Sequence, residues 1–150
     1  MSTKKILSFT VVLMLVLSVV VFAATPWISV INPNPQTIWE KSTESMVTNR
    51  EPLTVWQSGQ NYMVVWDSAG LNGNVKVDLL KAGVVVTTLS PAGGVPIGEM
   101  GKGFMESYIY ASAGPGEYQI RVSSLETPGI SSISEPVSIQ VEPQRNDRQR

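Results

Sequence analysis

The chain has 150 residues, with 11 basic and 12 acidic side chains, no histidine and no cysteine. Those two absences exclude a Ser-His-Asp triad, a Cys-His dyad, a His or Cys zinc site, a disulfide and a lipid-modified cysteine anchor. The near-neutral charge balance argues against nucleic acid or an anionic membrane surface as a partner.

The elements follow in chain order. Lys4 and Lys5 precede an apolar run from Ile6 to Phe22, interrupted by Ser8, Thr10 and Ser18. Val21-Phe22-Ala23 then places small or β-branched residues at the −3 and −1 positions of a cleavage site. Residues 1–23 read as a secretory signal peptide cut after Ala23. The alternative is an uncleaved anchor, for which the run falls just short of the roughly 18 residues of a spanning helix. Residues 24–142 form one domain on this reading. Residues 143–150, polar and carrying three arginines, form a disordered tail. The protein is thus expected outside the cytoplasm: periplasmic, on the cell surface or free.

Within the domain, Ile28-Ser29-Val30 alternates apolar and polar residues and stops at Asn32-Pro33-Asn34-Pro35. A long loop is predicted from Asn32 to Pro52, polar from Glu40 to Glu51 behind Ile38 and Trp39. Leu53 to Trp56 is a short strand. Gly59 turns the chain into Tyr62 to Trp66, apolar on both faces. Val75 to Leu79 alternates cleanly, and Lys81-Ala82-Gly83 makes a tight hairpin. Val84 to Leu89 is apolar on both faces, the pattern of a central or covered strand. A second long loop runs from Ser90 to Gly103 and holds five glycines. Long loops are commonly functional or mobile, or else tolerated insertions. Phe104 to Tyr110 is aromatic-rich. Tyr118 to Val122 and Val137 to Val141 alternate again. Period-two segments with these turn signals, and no helical period, predict an all-β fold: an antiparallel β-sandwich of about 7–8 strands.

The strand order also carries a pattern. Ile28-Ser29-Val30-Ile31-Asn32-Pro33 is followed by Val55-Trp56-Gln57-Ser58-Gly59, then Val64-Val65-Trp66, then Val75-Lys76-Val77-Asp78-Leu79. Tyr118-Gln119-Ile120-Arg121-Val122 and Ser134-Glu135-Pro136-Val137-Ser138-Ile139 close it. In this order and spacing the chain resembles the Ser-Thr-rich glycosylphosphatidylinositol-anchored membrane protein family. That family is similar to the N-terminal domain of fungal cell-wall β-1,6-glucan synthesis proteins. The resemblance covers Ile28 to Val141 and implies an immunoglobulin-like sandwich at the cell surface, with no catalytic residues to transfer. The insertion from Asn32 to Pro52 departs from it, and so does the lack of a Ser/Thr-rich stalk.

For the individual side chains, Trp56, Tyr62 and Trp66 are expected in the core, with Gly59 as a turn residue. Tyr118, two residues after Gly116, matches the tyrosine corner of immunoglobulin-like folds. Trp39, Tyr108 and Tyr110 are the candidate ligand-binding residues, because exposed aromatic faces hold sugar rings; packing at an edge or plugging the open end is the structural alternative. Asp67, Asp78, Glu99, Glu106 and Glu117 show no spacing of a catalytic carboxylate pair. No calcium-loop pattern occurs, so no metal site and no cofactor are expected. The expected role is a non-catalytic binding or structural domain of the cell envelope, with polysaccharide as the favoured partner. The alternatives are self-assembly, edge to edge or by donation of Ala24 to Ile31 to a neighbour, and docking onto another envelope protein.

Overall fold

The computed structural model describes residues 25–34, 37–40, 45–48 and 54–141, with side chains described for 25–34 and 54–141. The expected signal peptide and polar tail lie outside the described residues. Two sheets stack around one core. The smaller holds β1 (Trp27–Asn32), β5 (Asn61–Ala69) and β9 (Lys102–Tyr108), in the order β1-β5-β9. The larger runs β4-β12-β10-β6-β7, from β4 (Thr54–Gln57), β12 (Val137–Gln140), β10 (Gly116–Ser124), β6 (Asn74–Lys81) and β7 (Val84–Thr88). The short β8 (Val95–Pro96) pairs with β6 and β11 (Ser131–Ile133) pairs with β10.

All these pairings are antiparallel except β4 with β12. After β1 the chain leaves the first sheet and returns as β4 on the edge of the second, parallel to the last strand. Eight principal strands in two sheets with this crossed order make an immunoglobulin-like β-sandwich. β1 itself is paired with β5 of the same chain from Trp27 to Asn32.

The period-two reading explains the core. In β6, Val75, Val77 and Leu79 face inward; in β10, Tyr118, Ile120 and Val122 do so; in β12, Val137 and Ile139. They meet Ile28, Val64 and Trp66 of the other sheet, all buried. Trp56 is buried and stacks on the half-buried Tyr62, with ring centroids 4.7 Å apart and planes 9° apart. The Tyr118 hydroxyl donates to the Gly114 carbonyl at 3.2 Å, the hydrogen bond of a tyrosine corner, and Lys81 Nζ lies 4.8 Å above the same ring. Ser134 spans the break between β11 and β12, where its hydroxyl accepts from the Ile120 N–H at 2.9 Å.

Three segments differ from their sequence pattern. The long loop from Asn32 to Pro52 contains a two-stranded hairpin, β2 (Thr37–Glu40) with β3 (Ser45–Thr48), in which Trp39 pairs with Met46. The loop from Ser90 to Gly103 holds β8 and packs tightly. A Cβ on Gly103 would meet the Trp66 ring at 2.2 Å, and one on Gly101 the Ser68 carbonyl at 2.0 Å. Gly101 and Gly103 therefore let backbone close over Ser68 and Trp66, where a side chain would not fit. Ile97 from this loop is buried, and the Trp66 indole N–H donates to its carbonyl at 2.9 Å.

The third is β7. Its apolar run suggested a central or covered strand, yet β7 ends the larger sheet and its valines are exposed. A run of β-branched residues favours any strand, and composition does not separate an edge from a centre.

Candidate functional site

Among the described residues no strand pairs the outer side of β7, and Tyr110, just past β9, lines a groove with Val86 of that strand. Beyond β9 the backbone continues through Ile109, fully buried, to Tyr110. Ile109 N–H donates to the Gln60 carbonyl at 3.0 Å, and the Gly59 N–H donates to Ile109 at 2.6 Å. Those two bonds pin this stretch to the turn before β5, where Gly59 holds φ +83°. Pinning the buried residue forces its neighbours outward. Tyr108 is 46% and Tyr110 55% exposed. Their rings meet edge to face, with centroids 5.1 Å apart and planes 86° apart.

Tyr110 forms one wall of a shallow groove of about 200 Å³, lined also by Leu79, Val86, Thr87, Leu89, Ser112 and Ala113. Ala113 belongs to a single 3₁₀ turn, Ala111–Ala113. The opposite wall is Val86, the extra residue of a β-bulge: Leu79 pairs with Thr87 and Leu80 with Val85, leaving Val86 without a partner in the β6 register. The bulge breaks the alternation of β7 and turns three successive valines toward solvent, with Val84 at 69%, Val85 at 39% and Val86 at 48% exposure.

The position of β7 is fixed from behind. Asp78, whose side chain is fully buried, accepts from the Thr88 hydroxyl at 2.7 Å and from the Arg121 guanidinium at 2.8 Å, with Lys76 Nζ at 3.2 Å. Burial alone pushes the Asp78 carboxyl up; the hydrogen bonds from Arg121, Thr88 and Lys76 and the Lys76 charge outweigh it and hold the group below its ordinary value. This carboxylate is therefore a clamp joining β6, β7 and β10, and it does not line the groove beside Tyr110.

The structure thus brings together two of the three sequence-predicted ligand residues, Tyr108 and Tyr110. Trp39 lies in β2, and its side chain is outside the described residues. Trp56, Trp66 and Tyr118 are buried, Tyr62 is half-buried beneath Trp56, and Gly59 sits in its turn. Sequence reasoning missed Val86, Leu89 and Ala113 as partners of Tyr110. The Val84-Val85-Val86 run was a signal for them, but it reads equally as a buried strand. Among the described residues no group of His, Cys, Asp or Glu is clustered to hold a metal ion. No helix among them is long and apolar enough to cross a membrane.

No family model matches the chain, and no curated protein does. Among solved structures it is similar to the M1 domain from titin, at 15% identity and a TM-score of 0.35, over 62% of this chain and 90% of that one. It is also similar to DIP-gamma IG1+IG2, at 16% identity and a TM-score of 0.32, over 59% of this chain and 45% of that one.

Proposed function

We propose that the chain is a non-catalytic binding module, exported from the cytoplasm, that docks another polypeptide at the open edge formed by Val84 to Val86, Tyr108 and Tyr110. The observation that carries this reading is the exposed valine run beside Tyr110. A contiguous apolar patch of this kind is costly to leave in water, and such patches mark interaction sites. Tyrosine suits them because it gives contact area at low entropy cost and keeps a hydroxyl for bonding. The module's place at the envelope rests on the signal-like N-terminus. Membership of the Ser-Thr-rich glycosylphosphatidylinositol-anchored family is likewise a proposal, supported by the order of its strand motifs.

Polysaccharide is the second reading, favoured by the edge-to-face Tyr108–Tyr110 pair, whose exposed rings suit the C–H face of a sugar. Against it, the hydroxyls of Thr87, Ser112 and Tyr110 are the polar side-chain groups lining the groove. A sugar ring needs several directed hydrogen bonds, and among the described residues no amide or carboxylate side chain lines the groove to make them.

The test is retention on native envelope material and on a panel of insoluble glycans, with wild type, Val86→Asp and Tyr108→Ala. Polypeptide docking predicts retention on envelope material that protease treatment and Val86→Asp both abolish. Glycan binding predicts retention that survives protease, is competed by one glycan, and is lost in Tyr108→Ala. Retention unchanged in both variants would remove this edge as the site.

A further inference from the structure

We propose that the groove beside Tyr110 takes the Met100 side chain of a second copy of this chain. This rests on the docking site proposed above and names its partner.

The knob is built by the turn that opens β9. The Lys102 N–H donates to the Glu99 carbonyl at 3.0 Å and closes a four-residue turn with Met100 and Gly101 at its centre. Both central residues have positive φ, +52° at Met100 and +77° at Gly101. Two successive positive values mark a type I′ turn, which suits Asn, Asp or Gly and strains a methionine. The turn is also tied down: the Ser68 N–H donates to the Gly101 carbonyl at 2.6 Å, and the Ser68 hydroxyl donates to it at 3.2 Å. Met100 is thus held in a costly backbone conformation, yet its exposure is 100%, the highest of any large apolar residue among those described. A side chain uncovered in its own fold returns nothing for that cost. Local rules broken in this way are expected at functional sites.

The hole is the groove of about 200 Å³ between Val86 and Tyr110. A cavity of about 150 Å³ holds a benzene ring, so this one takes one large side chain. Its floor is the buried Leu79, Val86, Leu89 and Ala113 line its sides, and among the described residues no charged side chain faces it. Methionine answers this lining well. It is uncharged, its unbranched chain adapts to an irregular groove, and its sulfur gains from contact with an aromatic ring. Tyr110 offers that ring, braced edge to face by Tyr108, so the wall is formed before the partner arrives. Glu99 and Lys102 flank the tip with opposite charges, and the knob brings no net charge to an uncharged groove.

Knob and hole cannot meet within one chain. Met100 precedes β9 and Tyr110 follows it, and the strand from Lys102 to Tyr108 alone spans roughly 20 Å. A methionine side chain does not reach that far, so the occupant comes from another copy. One knob in one groove makes a small interface, and the association is weak and concentration-dependent.

The test is sedimentation equilibrium of the full chain as wild type, Met100→Ser, Val86→Asp and an equal mixture of the two variants. Average mass should rise with concentration in wild type, and each variant alone should associate at least about tenfold more weakly. The mixture should regain association, because Met100→Ser keeps the groove and Val86→Asp keeps the knob. Both substitutions fall on exposed side chains, and an unchanged near-UV circular dichroism spectrum checks that each variant is folded. A wild type that stays monomeric, a variant that associates as wild type does, or a mixture no better than its components would each overturn the Met100 contact. Any of those results with envelope retention lost in Val86→Asp and kept in Met100→Ser would leave the docking function standing with a different partner. Retention unchanged in Val86→Asp would remove the docking site itself.

Discussion

The sealed end of the sandwich around Trp66 and the open edge around Tyr110 are built from similar materials. Each has a large aromatic ring, a glycine-assisted turn and aliphatic residues from the larger sheet. At the sealed end, the segment from Gly93 to Gly103 folds over the indole and satisfies its N–H with Ile97. At the open edge a bulge in β7 and a 3₁₀ turn hold the walls apart, and nothing described lies over Tyr110. The difference teaches that an aromatic residue becomes core or surface according to whether backbone can approach it. Approach depends on residues far away in sequence, such as Gly101 and Gly103 for Trp66.

The largest break is expected at the sealed end. Trp66→Ala removes a fully buried ring and should cost about 3–5 kcal/mol, read as a fall in the urea midpoint with an unchanged slope. A loss below about 1 kcal/mol would mean that the loop closes without the indole. Gly103→Ala should follow at about 1–3 kcal/mol, because its Cβ would meet the ring and the Ile97 carbonyl. Near-UV circular dichroism should show the Trp66 environment disturbed in this variant and untouched in Val86→Asp.

Asp78 ties the open edge to the rest of the sheet, so it sharpens the comparison. Asp78→Asn leaves Arg121 and Lys76 without their counter-charge and weakens the hold on Thr88. A loss of about 2 kcal/mol is expected, with faster amide exchange concentrated in β7. The pH dependence has a definite sign. A carboxyl held below its unfolded value stabilises the fold above that value, about pH 4, and the contribution fades as pH falls through the lower folded value. Wild type should therefore lose stability below about pH 4 more steeply than Asp78→Asn. Parallel acid curves would remove the carboxylate from that role.

The smallest stability change belongs to the open edge itself. Val86→Asp puts a charge on a side chain that is already half-exposed and unpaired in the ladder, so stability should move by no more than about 0.5 kcal/mol while envelope retention is lost. A large destabilisation would show that Val86 belongs to the core and not to a surface.

Much of the fold was legible because a half-buried strand must alternate. Val75-x-Val77-x-Leu79 and Tyr118-x-Ile120-x-Val122 name their inward faces without any knowledge of their partners. Gly116-x-Tyr118 likewise pointed to the hydroxyl bond with Gly114. The candidate site was legible in part. Tyr108 and Tyr110 are conspicuous, yet their exposure follows from Ile109 being drawn inward by Gln60 and Gly59, a pairing across the β5 turn. The hairpin from β2 and β3 escaped because Thr37–Glu40 and Ser45–Thr48 are short and polar-flanked.

The amino-acid sequence by itself determined the eight principal strands, the inward faces of those that alternate and the hairpin at Ala82-Gly83, because period, turn chemistry and side-chain size act locally. Tertiary structure decided which strands became edges, which loop was packed and which aromatics met water. Those outcomes rest on contacts between residues distant along the chain: Gly103 against Trp66, Val86 bulged beside Leu79, and Ile109 held by Gly59 and Gln60.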